Sequence, residues 1–230
     1  MEGQNKNIRL YGAGGHSGVI RDVAELTGYK IIDIFDDHPS DSVHWDSDMV
    51  KIGLISSKDF PHEGPPFVIA IGDNKTRAEL SHKIKAAFKT LVHPSAVISK
   101  ESSIGEGTVV YAGVVIQPNT TIGKHVIVNT SASIDHDNYI ADFVHVAPKV
   151  ALTGHVEVGE GSFIGAGAVV IPKIKIGKWC TIGAGSVVIK DVPDNAVVVG
   201  NPAKNINKES INTDEKFKPY GVEVNKIQDE

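Results

Sequence analysis

Two histidines, His136 and His145, stand nine residues apart in the stretch SASIDHDNYIADFVHVAPKV at positions 131–150, and Asp135 and Asp137 flank the first. Imidazole titrates near neutrality, so it can take a proton from an attacking nucleophile and return it to a leaving group. A carboxylate beside it fixes the tautomer and raises the basicity, which makes His136 with Asp137 a candidate general base and leaves Asp135 as a rival orienter. The histidines and the single cysteine, Cys180, lack the ligand spacing of a zinc site, and no metal is expected. A second signal lies near the start of the chain. In YGAGGHSG, Gly12, Gly14 and Gly15 let the backbone approach a ligand, and the helix start behind them favours an anion such as a pyrophosphate. An acidic pair, Asp36 and Asp37, follows about 20 positions later at the end of a second strand, where it suits a ribose or base contact. Ser17 stands where a dinucleotide fingerprint wants its third glycine, so a nucleotide diphosphate carrying a small group fits better than NAD. A tight turn that binds nothing is the plain alternative.

The elements that must position these residues are of two kinds. From Val92 to Val188 every sixth residue is Val, Ile or Leu, without one insertion. Six is a multiple of the strand period of two and not of 3.6, so the segment is a stacked β-coil and not helical. Four positions after each aliphatic the residues are mostly small, among them Ala96, Ser102, Thr120, Ala132 and Cys180, which completes the hexapeptide signature of a parallel β-helix. Three hexads close one triangular coil of 18 residues, and Gly105, Gly123, Ala141, Gly159 and Gly177 mark one corner that needs a small side chain. Cys180 reads as a packed core thiol, and His93, His125 and His155 as solvated or turn-bonded surface histidines. Residues 1–90 differ. Strands in IRLYG, KIIDIF and FVIAIGDN, with helices in HSGVIRDVAELTGY after the first and KTRAELSHKIKAAF after the third, make a small α/β unit with a parallel sheet. The expected division is an α/β domain at 1–90, the β-helix at 91–204 and a polar tail at 205–230.

Composition limits the partners. A net charge of −5 over 230 residues gives no basic footprint for nucleic acid. One cysteine suits a reducing compartment, and neither an apolar leader nor a membrane-length apolar run is present, so a cytoplasmic, non-membrane protein is expected. Nine residues is half a coil, which puts His136 and His145 on opposite sides of one prism. If they share a site, a neighbouring subunit supplies the second, as in a homotrimer with clefts between its prisms.

In its uninterrupted hexads and its ordered motifs YGAGGHSG, DIFDD, AIGDNKTR, LVHPSA, VNTSASIDHD, FVHVAP and VVVGNPAK, the chain resembles the bacterial nucleotide-sugar N-acetyltransferases of the PglD and NeuD type. The resemblance implies a short Rossmann-like α/β domain joined to a left-handed β-helix, and an acetyl-CoA-dependent transfer to the amino group of a nucleotide-linked amino sugar, a UDP-4-amino-4,6-dideoxyhexose for surface glycans being the expected acceptor. It implies that Gly14, Gly15, His16, Asp36, Asp37 and Gly72 hold the nucleotide sugar. It also implies that His145 contacts acetyl-CoA, whose pantetheine arm runs past Ala166 and Ala184. Within that chemistry His136 is the base, and Gly154, one full coil beyond it, offers a backbone N–H to the thioester oxygen. Where the family often has glutamate, this chain has Asp137. A sugar O-acetyltransferase, a non-enzymatic nucleotide-binding trimeric scaffold and, more remotely, an NAD-linked oxidoreductase are the competing readings.

Overall fold

The structure, a computed structural model, describes residues 6–37, 45, 50–52, 61 and 63–206. Its first part contains β1 (Asn7–Tyr11), α1 (Gly15–Leu26), β2 (Lys30–Asp36), β3 (Val50–Ile52), β4 (Phe67–Ile69) and α2 (Asn74–Lys83). The strands form one parallel sheet in the order β3-β2-β1-β4. Helix α1 buries Ile20, Val23 and Ala24, the three- and four-residue spacing of one helical face. Strand β3 was not legible in the sequence, because three residues are too few to display a period. Helix α2 ends earlier than its sequence pattern suggests. Ile84 turns extended and buries against Phe35, Phe67 and Leu80, a packing gain that outweighs continued helix.

From β5 (Leu91–Val92) to β21 (Val187–Val188) the chain is a parallel β-helix of about six turns, made of two-residue strands stacked into three sheets. Each strand pairs with the one 18 residues away, as Ile127 pairs with His145 and His145 with Phe163. The aliphatic of each hexad points inward, and Ile116, Ile134, Ile140, Val146 and Ile164 are at most 1% exposed. Each such side chain stabilises the coil by about 1.5–3 kcal/mol. Corners recur every sixth residue with positive φ, and many carry side chains: His125 at 51°, Asp137 at 60°, Phe143 at 60° and His155 at 61°. The glycine corner has a different cause, since a Cβ on Gly105 would lie 2.5 Å from the Gly123 carbonyl carbon one rung away. It is crowding between rungs, not backbone freedom, that demands the small residue. Cys180 is buried, its thiol donating to the Pro193 carbonyl at 3.0 Å. Past β22 (Val197–Val199) the chain returns antiparallel as β23 (Lys204–Asn205), which covers an otherwise open sheet edge. The expected polar tail lies, beyond residue 206, outside the described residues.

The three outer faces differ in chemistry. One presents Leu91, Val109, Ile127, His145, Phe163 and Thr181 in a column. Its first three rungs bury against Ile8, Leu10 and Ile20, so the α/β unit and the β-helix share one apolar cluster. The second presents Val97, Val115, Ser133, Ala151, Val169 and Val187, with Val97 64% exposed. The third is polar, with Ser103, Thr121, Tyr139, Glu157 and Lys175.

Candidate active site

His136 occupies the corner between the second and third faces. Its backbone N–H donates to Asp135 Oδ1 at 2.9 Å, and its Nδ1 lies 2.6 Å from Asp137 Oδ2. Asp137, not Asp135, therefore orients the ring, and Nε2 is left for a substrate. The Asp137 bond, with Asp135 adding to it, holds the imidazole above its ordinary pKa, and the same bond depresses the Asp137 carboxyl. Asn119 donates to Asp137 Oδ1 at 3.2 Å and secures the carboxylate from the rung before. The left-handed corner at Asp137 is one that aspartate tolerates better than most residues.

Gly154 lies one rung on, under the same ring. A Cβ there would come within 2.8 Å of His136 Cε1, so only glycine leaves the imidazole its place. The Gly154 carbonyl accepts from the Lys173 N–H, whereas its own N–H donates to no described group. His155 is not merely solvated. Its Nε2 is 3.6 Å from Asp137 Oδ2 and its ring meets that of His136 edge-on at 5.4 Å. His136, Asp137 and His155 offer three ligand-type atoms within 4.8 Å of one another, but Asp137 already holds the Nδ1 hydrogen of His136.

Asn138 is a site residue the sequence reading passed over. It is 2% exposed, donates to the Asp135 carbonyl at 2.7 Å and the Thr153 carbonyl at 3.0 Å, and accepts from the Val156 N–H at 2.8 Å. It thereby joins the His136 corner to the rung of Gly154. The signal was present, since an amide interrupts the run of small inward residues at that one rung.

The residues expected to hold the nucleotide sugar lie on the glycine loop, at the end of β2 and after β4, beside the apolar cluster. Gly14 caps α1 without a side-chain bond, and a Cβ on Gly14, Gly15 or Gly72 would meet nothing within 4 Å, so all three border open space. Gly12, with φ of 108°, passes close over Ala70 and Ile71. Asp36 Oδ2 accepts from the Ala13 N–H at 2.7 Å and steadies the glycine loop, while Asp37 Oδ1 is buried with no partner among the described residues. His16 Nε2 lies 2.9 Å from the Tyr111 hydroxyl, and burial pushes its pKa down to about 4. Nothing in the periodicity singles out Tyr111.

His145 joins this group. Its ring is 6.4 Å from that of His16, its Nε2 is 3.2 Å from Asn129 Nδ2, and the Gly72 backbone is close enough to favour its charged form slightly. Burial first, then the charge of Arg77, lowers its pKa to about 3. Within one chain, then, His145, His16 and Gly72 stand together, and His136, Asp137 and Gly154 stand together elsewhere. Ala166 and Ala184 are exposed on the corner that follows the His145 face.

Comparison with known proteins adds an independent line. Residues 7–84 match the PglD N-terminal domain family, and residues 155–190 match the bacterial transferase hexapeptide family of six repeats. The acetyltransferase domain of PglB from Neisseria gonorrhoeae FA1090 is 34% identical and superposes with a TM-score of 0.81 over 88% of this chain and 100% of that one. The chain belongs to the PglD-type nucleotide-sugar N-acetyltransferase family. PerB of Caulobacter crescentus, solved with CoA and GDP-perosamine, is 35% identical with a TM-score of 0.79, covering 87% of this chain and 97% of its own. The UDP-N-acetylbacillosamine N-acetyltransferase of Bacillus subtilis (strain 168) is 39% identical over 121 residues, 45% of this chain. That match spans 50% of the length of the Bacillus protein. The PglB domain has also been solved with acetyl coenzyme A. None of the described helices is long and apolar enough to cross a membrane.

Proposed function

We propose that this protein transfers the acetyl group of acetyl-CoA directly to the amine of a nucleotide-linked amino sugar, with His136 as general base. The observation that carries the reading is the His136 corner: an imidazole oriented by Asp137, with the Gly154 N–H beside it donating to no described group. The amine nitrogen attacks the thioester carbon, and His136 Nε2 takes the proton released as the C–N bond forms. The Gly154 N–H donates to the oxyanion of the tetrahedral intermediate. The C–S bond then breaks, and the imidazolium returns its proton to the CoA thiolate. No metal and no acyl-enzyme is needed.

One face of the prism supports a homotrimer with shared sites. The second face is a column of small and aliphatic side chains, with Val97 and Val169 exposed. If three prisms pack those faces around an axis, each His136 corner meets the Ala166–Ala184 corner of the next prism. The nucleotide sugar, held at Gly14, Gly15, His16, Asp36, Asp37 and Gly72, then lies beside the neighbour's base, and the pantetheine arm runs between the corners. The acceptor we favour is a UDP-4-amino-4,6-dideoxyhexose, with GDP carriers as the alternative, in a cytoplasmic enzyme of surface glycan synthesis.

Thiol release from acetyl-CoA, measured with a panel of UDP- and GDP-linked amino sugars, tests this. We expect release that depends on the acceptor and falls by about 10²–10⁴-fold in His136→Ala with the oligomer intact. Release only with sugar hydroxyl acceptors would instead establish an O-acetyltransferase, and nucleotide binding without release would establish a scaffold.

A further inference from the structure

Arg77 is buried to 1% exposure where α2 meets the β-helix, and each of its hydrogen-bond acceptors is a neutral oxygen. Burying a cation without a carboxylate is costly unless all its donors are met. Here they are. Nε donates to the His125 carbonyl at 2.8 Å and Nη2 to the Phe143 carbonyl at 2.7 Å. Nη2 also reaches Asn74 Oδ1 at 2.7 Å, and Nη1 donates to the Ile71 and Gly72 carbonyls, both at 3.1 Å. His125 and Phe143 are the same corner on successive rungs, roughly 4.8 Å apart along the stack. The planar fork of the guanidinium spans that step, which the ammonium of a lysine cannot do. Asn74 continues the series, donating to the carbonyls of Gly161 and Ser162 on the third rung at 3.0 and 3.2 Å. One helix end thus addresses three consecutive rungs.

The other half of the fork holds the carbonyls of Ile71 and Gly72, at the loop that leads into α2. Loop, helix and solenoid are therefore keyed to one another through a single side chain. We infer that Arg77 is a positioning residue that sets the height of the nucleotide-sugar domain on the β-helix, so that the bound amine arrives level with the acetyl-transfer corner. The inference rests on the N-acetyltransferase reading above. A hydrophobic interface alone would select this height only weakly, because a slide by one coil keeps Val109 and Ile127 against the sheet and exchanges Leu91 for His145. The carbonyl ladder is equally repetitive, but the side chains of its corner are not: His125 and Phe143 meet Phe88 and His82 edge-on, and the flanking rungs carry Gly107 and Gly161 there, so the fork and these rings engage together at this height.

The test compares wild type with Arg77→Lys, which keeps the charge and loses the fork, and with Asn74→Ala. Isothermal titration gives the Kd for CoA and for UDP or GDP, and steady-state kinetics gives kcat at saturation with both substrates. A misplacement of about 1 Å can cost about 10²-fold in rate, so we expect kcat to fall by about that factor in Arg77→Lys and less in Asn74→Ala, with each Kd changed by less than about threefold. An unchanged kcat per folded molecule, with only a lower Tm, would show that Arg77 serves stability alone and overturn the inference. A loss of nucleotide affinity matching the loss of rate would also overturn it, by making Arg77 part of the pocket. Wild-type protein that binds neither nucleotide nor transfers acetyl would instead refute the underlying reading. If Arg77→Lys fails to fold, Asn74→Ala decides the question by the same split.

Discussion

At His136 two neighbours exert opposite demands, and both can be tested on single residues. Asp137 raises the affinity of the imidazole for a proton, so at neutral pH part of the base is already charged and idle. Replacing Asp137 by Asn removes the largest cause of that rise. The acid limb of the kcat/KM profile should move to lower pH, while the plateau falls because the tautomer is no longer enforced. A limb that stays in place would mean another group sets it. Gly154 constrains the ring from below. Since the conflict in Gly154→Ala is with the end of a side chain that can swing aside, we expect Tm nearly unchanged and kcat lower by about 10²-fold, read by thermal melts beside initial rates.

Elements explain how the α/β unit is held and how that depends on pH. His125 sits at a left-handed corner under Gly107, stacked on Phe143 with ring centroids 5.6 Å apart and edge-on to Phe88 at 4.5 Å. Burial, and then Arg77, lowers its pKa to about 4. In an unfolded chain a histidine binds its proton near pH 6.5. The unfolded state therefore gains protons first as the pH drops, and stability present above about pH 6.5 is lost progressively toward about pH 4. His16 and His145 act in the same direction. Thermal melts at pH 7 and pH 5 should show a clear fall in Tm, and a smaller fall in His125→Phe, which keeps the stacking and cannot charge. The expectation that His125 is a surface residue failed because the α/β unit covers its corner, a contact between segments that periodicity does not describe.

For the whole molecule the decisive matter is which subunit supplies which half of the site. In the proposed trimer, His136→Ala and Ala166→Trp disable opposite sides of one cleft. Each variant alone should be inactive. Co-expressed in equal amounts and mixed at random, they should recover about a quarter of wild-type activity, because a cleft with both sides intact forms at that frequency. No recovery, with mixed oligomers demonstrated by mass spectrometry, would place the whole site within one chain. Charging the aliphatic face, as in Val169→Lys, should release monomers and abolish transfer, checked by light scattering.

The hexad rhythm from Val92 to Val188 was sufficient by itself to specify the β-helix, because an inward side chain at every sixth residue admits one packing and tolerates no slip. Chain order likewise put an imidazole, a carboxylate and, one coil later, a glycine on the same corner, so the His136–Asp137–Gly154 group could be read before any coordinates. The company of His145 could not. Its neighbours His16, Tyr111 and Gly72 come from distant segments, and their meeting accompanies a shared apolar cluster and a buried guanidinium bonding carbonyls, groups every residue carries and no sequence pattern marks. Local repetition was legible because it is written in side chains at a fixed spacing; the docking of one unit on the other joins apolar side chains from distant segments and backbone oxygens, which only the folded chain brings within reach.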